Sequence, residues 1–163
     1  MNNKLFYGLI LFLALLVAFY LYQKYRVAPS INLQELVLTD LNGQLVSIEN
    51  FRGKKVVLSF GASWCGNCKQ ELNELKKIKN AELSDVEVIV ISDELIEKII
   101  SFKEKNDYPF TFLKMQKSFG DIGINAIPTT YIINTNLQIK KEKVGYINWQ
   151  DASNRQHLIT LMQ

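Results

Sequence analysis

The chain has two cysteines, and both lie in one pentapeptide, Trp64-Cys65-Gly66-Asn67-Cys68. Two thiols at this spacing can close a small disulfide and reopen it, a redox couple that needs no organic cofactor and no metal. The flanking residues give the couple a physical setting. Val56-Val57-Leu58-Ser59-Phe60 reads as a buried strand, and after the pair Leu72, Leu75 and Ile78 recur on one helical face. A thiol at a helix N-terminus meets unpaired backbone N–H groups and the positive end of the helix dipole, and both favour the thiolate. Trp64, Gly66 and Asn67 suit an exposed turn, which argues against a buried, inert pair.

The same spacing is also half of a zinc site. Structural zinc usually takes four Cys or His ligands, and the only other soft ligand, His157, lies about ninety residues on. It reads as a surface residue of the last helix.

The elements that must hold the pair follow from periodicity and turn chemistry. Leu33 to Ser47 reads as a hairpin around Asp40-Leu41-Asn42-Gly43, and Phe51-Arg52-Gly53-Lys54 as a second turn. A helix spans about Gly66 to Asn80. Val86 to Ile91, almost continuously apolar, fits a central strand covered on both faces. Asp93 can cap a helix whose apolar face is Leu95, Ile96, Ile99, Ile100 and Phe102, ending near Asn106-Asp107-Tyr108-Pro109. A short strand (Phe110 to Leu113) and a brief helix (Gln116 to Ile122) follow. Then come the strand Tyr131-Ile132-Ile133, the turn Asn134-Thr135-Asn136, the strand Gln138 to Gly145 and a helix from Trp149 onward with Leu158, Ile159, Leu161 and Met162 as apolar positions. Strands alternating with helices, then two strands joined by a tight turn, give an α/β fold with a mixed sheet flanked by helices.

A length of 163 residues suits one domain with a real core rather than two. The net charge of +3 is mild, and lysines mix with acids, as where Lys76, Lys77 and Lys79 face Glu71, Glu74 and Glu82. That mixture reads as a solvated helix surface and argues against nucleic acid as a partner. No repeat, low-complexity stretch or glycine-rich phosphate loop is present.

The division expected is a membrane anchor over 1–26, a linker over 27–32 and one domain over 33–163. Leu5 to Tyr22 carries no charge and is near the lower length limit for a spanning helix. Tyr7, Tyr20, Tyr22 and Tyr25 fall towards its ends, where aromatic rings sit at headgroups. A cleaved signal peptide is the alternative, but the apolar core is too long, Ala28 is followed by Pro29, and no cysteine is there to be lipidated. Lys4 before the span and Lys24 and Arg26 after it give no clear vote on orientation.

Trp64-Cys65-x-x-Cys68, with Ile127-Pro128-Thr129 about sixty residues later, resembles the thioredoxin superfamily. More closely, the chain resembles the membrane-anchored thiol–disulfide oxidoreductases of the TlpA/ResA type. The stretch from Leu36 to Lys54, with Asp40-Leu41, Gly43 and Phe51-Arg52-Gly53-Lys54, is similar to that group's leading hairpin. The resemblance runs from about Leu33 to the C-terminus. It implies a thioredoxin-like sheet with an N-terminal β-hairpin and one N-terminal transmembrane helix, and a single-pass protein whose catalytic domain is extracytoplasmic.

The resemblance also implies roles. Pro128 is expected to be cis and to face the cysteines, leaving the backbone of Ile127 to pair with a substrate strand. Glu71, one turn after Cys68, is the group's glutamate that tunes the thiols by holding or passing a proton; its bland counterpart is a surface glutamate paired with a lysine. Ser59 stands where cytosolic thioredoxins carry a buried aspartate, which moves the acid–base burden to Glu71. Gly61 stands where many relatives have tryptophan, and Asn67 replaces a common proline between the sulfurs.

The expected mechanism is thiol–disulfide exchange. Cys65 attacks a client disulfide as thiolate, and Cys68 then attacks Cys65 and releases the reduced client. Trp64 shields the site and offers an apolar surface, while Ile127 and Pro128 dock the client chain. Expected partners are proteins with disulfides, apocytochromes c among them by resemblance, and a membrane electron donor. Three alternatives use the same cysteines: a Sco-like copper chaperone with His157 as third ligand, an oxidant or isomerase of exported proteins, and a peroxiredoxin-like peroxidase. The last usually places a lone cysteine after threonine or proline, whereas Ser63-Trp64 precedes Cys65.

Overall fold

The computed structural model describes residues 3–163, with side chains from Phe6 to Gln23 and from Val27 onward. Tyr25, Lys4, Lys24 and Arg26, which bear on the membrane reading, lie outside the described side chains.

Helix α1 (Asn3–Arg26) is exposed along its length from Phe6 to Gln23 and is long and apolar enough to cross a membrane. The following segment is tied to the domain. Ile31 joins the core, Ala28 packs against it, and the Tyr131 hydroxyl donates to the Pro29 carbonyl at 2.8 Å. Gly123, at φ +78, lies against the same proline; a Cβ there would come within 3.3 Å of the Pro29 ring.

Seven strands form one mixed sheet. They are β1 (Leu38–Thr39), β2 (Leu45–Val46), β3 (Lys55–Phe60), β4 (Val86–Ser92), β5 (Thr111–Met115), β6 (Thr129–Ile133) and β7 (Ile139–Val144), in the order β2-β1-β5-β4-β3-β6-β7. The strands β3, β4 and β5 run parallel, and β1 and β6 pair antiparallel to them. The connections carry helices α2 (Gly66–Ile78) and α3 (Ile96–Asn106), and α4 (Ala152–Leu161) closes the chain. Strand β3 shows why its sequence is apolar throughout. Val56, Leu58 and Phe60 face one core with Ile89, Ile91 and Tyr131, and Val57 faces the other with Leu72, Leu75, Ile132 and Trp149. Successive strand residues point to opposite faces, so a central strand covered on both sides needs no polar alternation.

The leading hairpin is shorter than its sequence suggests. A 3-10 turn occupies Leu33–Glu35, and only two residues on each side pair. Its turn is held by Asp40, whose carboxylate accepts the backbone N–H of Asn42 and of Gln44, with Gly43 at φ +83. Three further expectations are corrected. Asp93 does not cap α3; Leu95 stands at that cap with no side-chain bond, and the Asp93 carboxylate accepts the N–H of Phe119 from the next loop. The brief helix over 116–122 shrinks to a 3-10 turn over Phe119–Ile122, because Met115 continues β5. The last helix starts at Ala152 with Asp151 as its cap, and Trp149 is instead fully buried in the core.

The bond from Tyr131 to Pro29 joins the segment after α1 to the sheet. A buried neutral hydrogen bond is worth about 1 kcal/mol. Tyr131→Phe is expected to lower the domain's unfolding free energy by about that much in urea titrations, and to speed proteolytic cutting within 27–32. Unchanged cutting would show that the hydroxyl does not hold the segment.

Candidate active site

Helix α2 begins at Gly66, with Cys65 as the residue that caps it. The Cys65 sulfur takes the N-cap position and accepts the Cys68 N–H at 3.1 Å, satisfying one of the donors left open by the first turn. The two cysteines are joined as a disulfide with Cα atoms 5.3 Å apart. Cys65 is 6% exposed and Cys68 1%, so an incoming sulfur meets Cys65 first. Trp64 is 75% exposed beside it. The loop before the helix is clamped from below: the Glu94 carboxylate accepts the Ser63 N–H at 2.6 Å and the Ser63 hydroxyl at 2.8 Å. Gly61 leaves the wall beside Cys68 bare, since a Cβ there would stand 3.3 Å from the Cys68 sulfur.

The Ile127–Pro128 bond is cis, as the resemblance implies. Thr129, the next residue, pairs with Phe60 at the end of β3. That register sets Pro128 at the same end of the sheet as the loop leading to Cys65. Ile127 is half-buried and Pro128 buried. His157 is exposed on α4, and among the described residues no three His, Cys, Asp or Glu side chains converge as a metal cluster.

Glu71 and Glu74 are not the solvated helix face expected from the neighbouring lysines. Glu71 is fully buried, and Glu74 is buried beside it. One Glu71 oxygen accepts the Thr130 hydroxyl at 2.8 Å, and the other accepts the Ile147 N–H at 2.8 Å. Glu74 accepts the Trp149 N–H at 3.0 Å and the Tyr146 hydroxyl. The lysines turn elsewhere: Lys76 to Asp107 and the Asn106 carbonyl, Lys79 to the Leu83 carbonyl, while Glu82 pairs with Arg155. The carboxylates are buried because the loop after β7 brings them backbone donors. Burial pushes the Glu71 carboxyl up from 4.5 to about 7, and the neighbouring Glu74 charge adds to it; the Ile147 and Thr130 bonds pull the other way. A carboxyl balanced there can hold or release a proton at neutral pH.

Glu74, Thr130 and Tyr146 were not singled out by sequence reasoning. One signal was available for Glu74: with Glu71, Leu75 and Ile78 it follows the i, i+3, i+4, i+7 spacing of a single helical face.

Comparison with known proteins gives a consistent picture. The model of the AhpC/TSA family matches residues 26–142. The thioredoxin-like protein YneN of Bacillus subtilis is 30% identical over 113 residues, 66% of each chain. The thiol-disulfide oxidoreductase ResA of Geobacillus thermodenitrificans is 28% identical over 141 residues, which is 83% of this chain and 79% of that one. Among solved structures, a thiol-disulfide isomerase from Corynebacterium glutamicum superposes with a TM-score of 0.65 at 19% identity, covering 84% of this chain and 97% of its own. At that identity it supports the thioredoxin-like fold alone.

The Glu71 carboxyl makes stability depend on pH in a defined direction. Its folded value, about 7, lies above the ordinary 4.5, so between the two the folded protein holds more proton than the unfolded chain. Its contribution is fully present below 4.5 and is lost as pH rises through 7, about 3 kcal/mol in all. Urea unfolding of the oxidised protein at pH 5 and pH 8 is expected to show this fall, and Glu71→Gln to abolish it. Equal pH slopes in the two proteins would place the carboxyl's titration elsewhere.

Proposed function

We propose that this chain, which belongs to the AhpC/TSA family and is a thiol–disulfide oxidoreductase of the ResA kind, reduces disulfides of extracytoplasmic proteins. The observation that carries this reading is the Cys65–Cys68 disulfide at the N-terminus of α2, with the Cys65 sulfur bonded to the helix's own N–H. When the pair is reduced, that position favours the Cys65 thiolate. The thiolate attacks a client disulfide, forms a mixed disulfide and expels one client sulfur. Cys68, deeper by one turn, attacks Cys65 and releases the second client sulfur. Each cycle leaves the pair oxidised, so a donor in the membrane must return two electrons to it.

Client docking falls to Trp64, Ile127 and Pro128. The exposure of Trp64 and the position of Pro128 at the Cys65 end of the sheet support that assignment. Glu71 serves as the proton store for Cys68, supported by its full burial and its value near neutrality. Helix α1 acts as an uncleaved anchor over 1–26, supported by its exposed apolar surface, with 27–32 leading to the catalytic domain over 33–163 on the extracytoplasmic side. Apocytochrome c, whose paired cysteines must be reduced before haem is attached, is the client class that the resemblance to the TlpA/ResA type implies. The cytochrome assignment stands or falls with the redox poise of the pair.

Two measurements check this reading. Cys68→Ser in cells is expected to accumulate mixed disulfides on Cys65 that dithiothreitol releases; an expressed variant with no adducts would falsify the exchange mechanism. The Cys65–Cys68 couple is expected to equilibrate below about −230 mV, in the range of reductants such as thioredoxin. A value between about −120 and −180 mV would make the protein an oxidant or isomerase and remove the cytochrome reading.

A further inference from the structure

Ser59 and Thr130 are directly opposed across β3 and β6, and both are almost fully buried. They point to the α2 side of the sheet, the face on which Val57 and Ile132 also lie. A buried hydroxyl needs a partner, and here the partners form a line. The Thr130 hydroxyl donates to Glu71 at 2.8 Å, and the Ser59 oxygen lies 3.3 Å from the Thr130 oxygen, so Ser59 can donate to it in turn. Ser59 then has its own lone pairs left, on the side of a small pocket lined by Gly61, Cys68, Leu72, Ser92 and Glu94 as well. Its volume, about 10 Å³, is at the lower limit for one water, and Val90, Ile99, Phe102 and Phe112 make the apolar rest of its wall, so a water there is held from the Ser59, Ser92 and Glu94 side. At the opposite end, Thr130 and Ile147, the two partners of Glu71, line a pocket of about 280 Å³ bordered by Lys141, Lys143 and Tyr146.

We propose that the Ser59 and Thr130 hydroxyls relay a proton between Cys68 and Glu71, with one water in the small pocket completing the line on the sulfur side. This rests on the exchange mechanism above. In the resolving step the Cys68 S–H proton passes to the water, the water gives a proton to Ser59, Ser59 gives its own to Thr130, and Thr130 gives its own to the Glu71 carboxylate. The Cys68 sulfur uses its freed electron pair to bond Cys65. The bond from Cys65 to the client sulfur breaks, and the client leaves with that pair as thiolate. When the disulfide is reduced again the line runs backwards, from Glu71 to the departing Cys68 thiolate. Glu71 does not itself reach the larger pocket; its partners Thr130 and Ile147 do, and its proton equilibrates with solvent by way of them. With the Thr130 proton directed to Glu71, the Ser59 hydroxyl is free to rotate its proton towards Thr130, so no heavy atom in the line needs to move.

The charged groups around the line are few. Glu74 lies beside Glu71 on α2 and is bonded to Tyr146 and Trp149. Lys141, Glu142 and Lys143 of β7 border the larger pocket, and α4 contributes only Asn154 and Leu158 there. Glu94 borders the small pocket and is the rival proton acceptor. Ser59 and Thr130 touch neither client nor the bond being formed and are positioning residues for the proton.

The two exchange steps can be separated with Ellman's reagent on the reduced full-length protein in detergent. Cys65 releases the first thionitrobenzoate, and Cys68 releases the second as it resolves the mixed disulfide. In the unaltered protein the second release is expected to rise with pH through about 7, as Glu71 ionises and can accept. Ser59→Ala is expected to slow the second release at least ten-fold and erase that rise, with the first release unchanged. Thr130→Val should do the same, and Thr130→Ser should restore both rate and pH profile. A second release in Ser59→Ala with ordinary rate and profile overturns the relay, as does loss of the rise in Glu94→Gln instead. Absence of a second release from the unaltered protein overturns the exchange reading, and the relay with it.

Discussion

Helix α2 enters the protein with a sulfur at its cap and a carboxylate buried nearly two turns further on, and that arrangement constrains everything around it. Cys65 satisfies a backbone N–H that the first turn would leave open. Cys68, Glu71 and Glu74 then occupy the buried side of the same helix. A carboxylate taken out of water costs several kcal/mol unless it gains donors. The neighbouring elements supply them. The antiparallel step from β3 to β6 brings Thr130 to Glu71, and the loop after β7 brings the N–H groups of Ile147 and Trp149. The loop after β7 therefore packs on the same buried side of α2 as Cys68 although it carries no sulfur.

This coupling explains how the sheet order and the chemistry fit together. The strands β3 and β6 are neighbours, so the loop leading to Cys65 and the cis-proline leading into β6 lie at one end of the sheet. Glu94, just after β4, holds Ser63 in place by two bonds and fixes the approach to Trp64 and Cys65. The redox pair thus rests on three adjacent strands rather than on its own loop, which keeps a reactive group at a set position.

Much of this was legible in the sequence. The cysteine spacing, the strand before it and the helix after it identified the redox pair, and the apolar runs of β3 and β4 identified strands covered on both faces. The environment of Glu71 and Glu74 was not legible. Their lysine neighbours in sequence suggested a solvated surface, and the donors that make burial possible come from residues about seventy-five positions later. Asp93 escapes local pattern for a related reason. Its position suited a helix cap, but the N–H of Phe119 competes for the same carboxylate from a distant loop. The apolar positions Leu158, Ile159, Leu161 and Met162 suggest a helix from Trp149 onward, whereas Trp149 precedes it and its backbone N–H completes the Glu74 site. Local patterns specify elements; long-range polar partners do not leave a periodic trace.

The central claim is that the end of α2 makes Cys65 the attacking thiolate and keeps Cys68 in reserve. The most direct test is alkylation of the fully reduced protein across pH, with the modified cysteine identified by mass spectrometry. The account predicts that Cys65 is modified first, with a titration midpoint below the ~8.5 of an ordinary cysteine, and that Cys68 is protected. Equal modification of both cysteines, or a Cys65 midpoint at or above ~8.5, would contradict it.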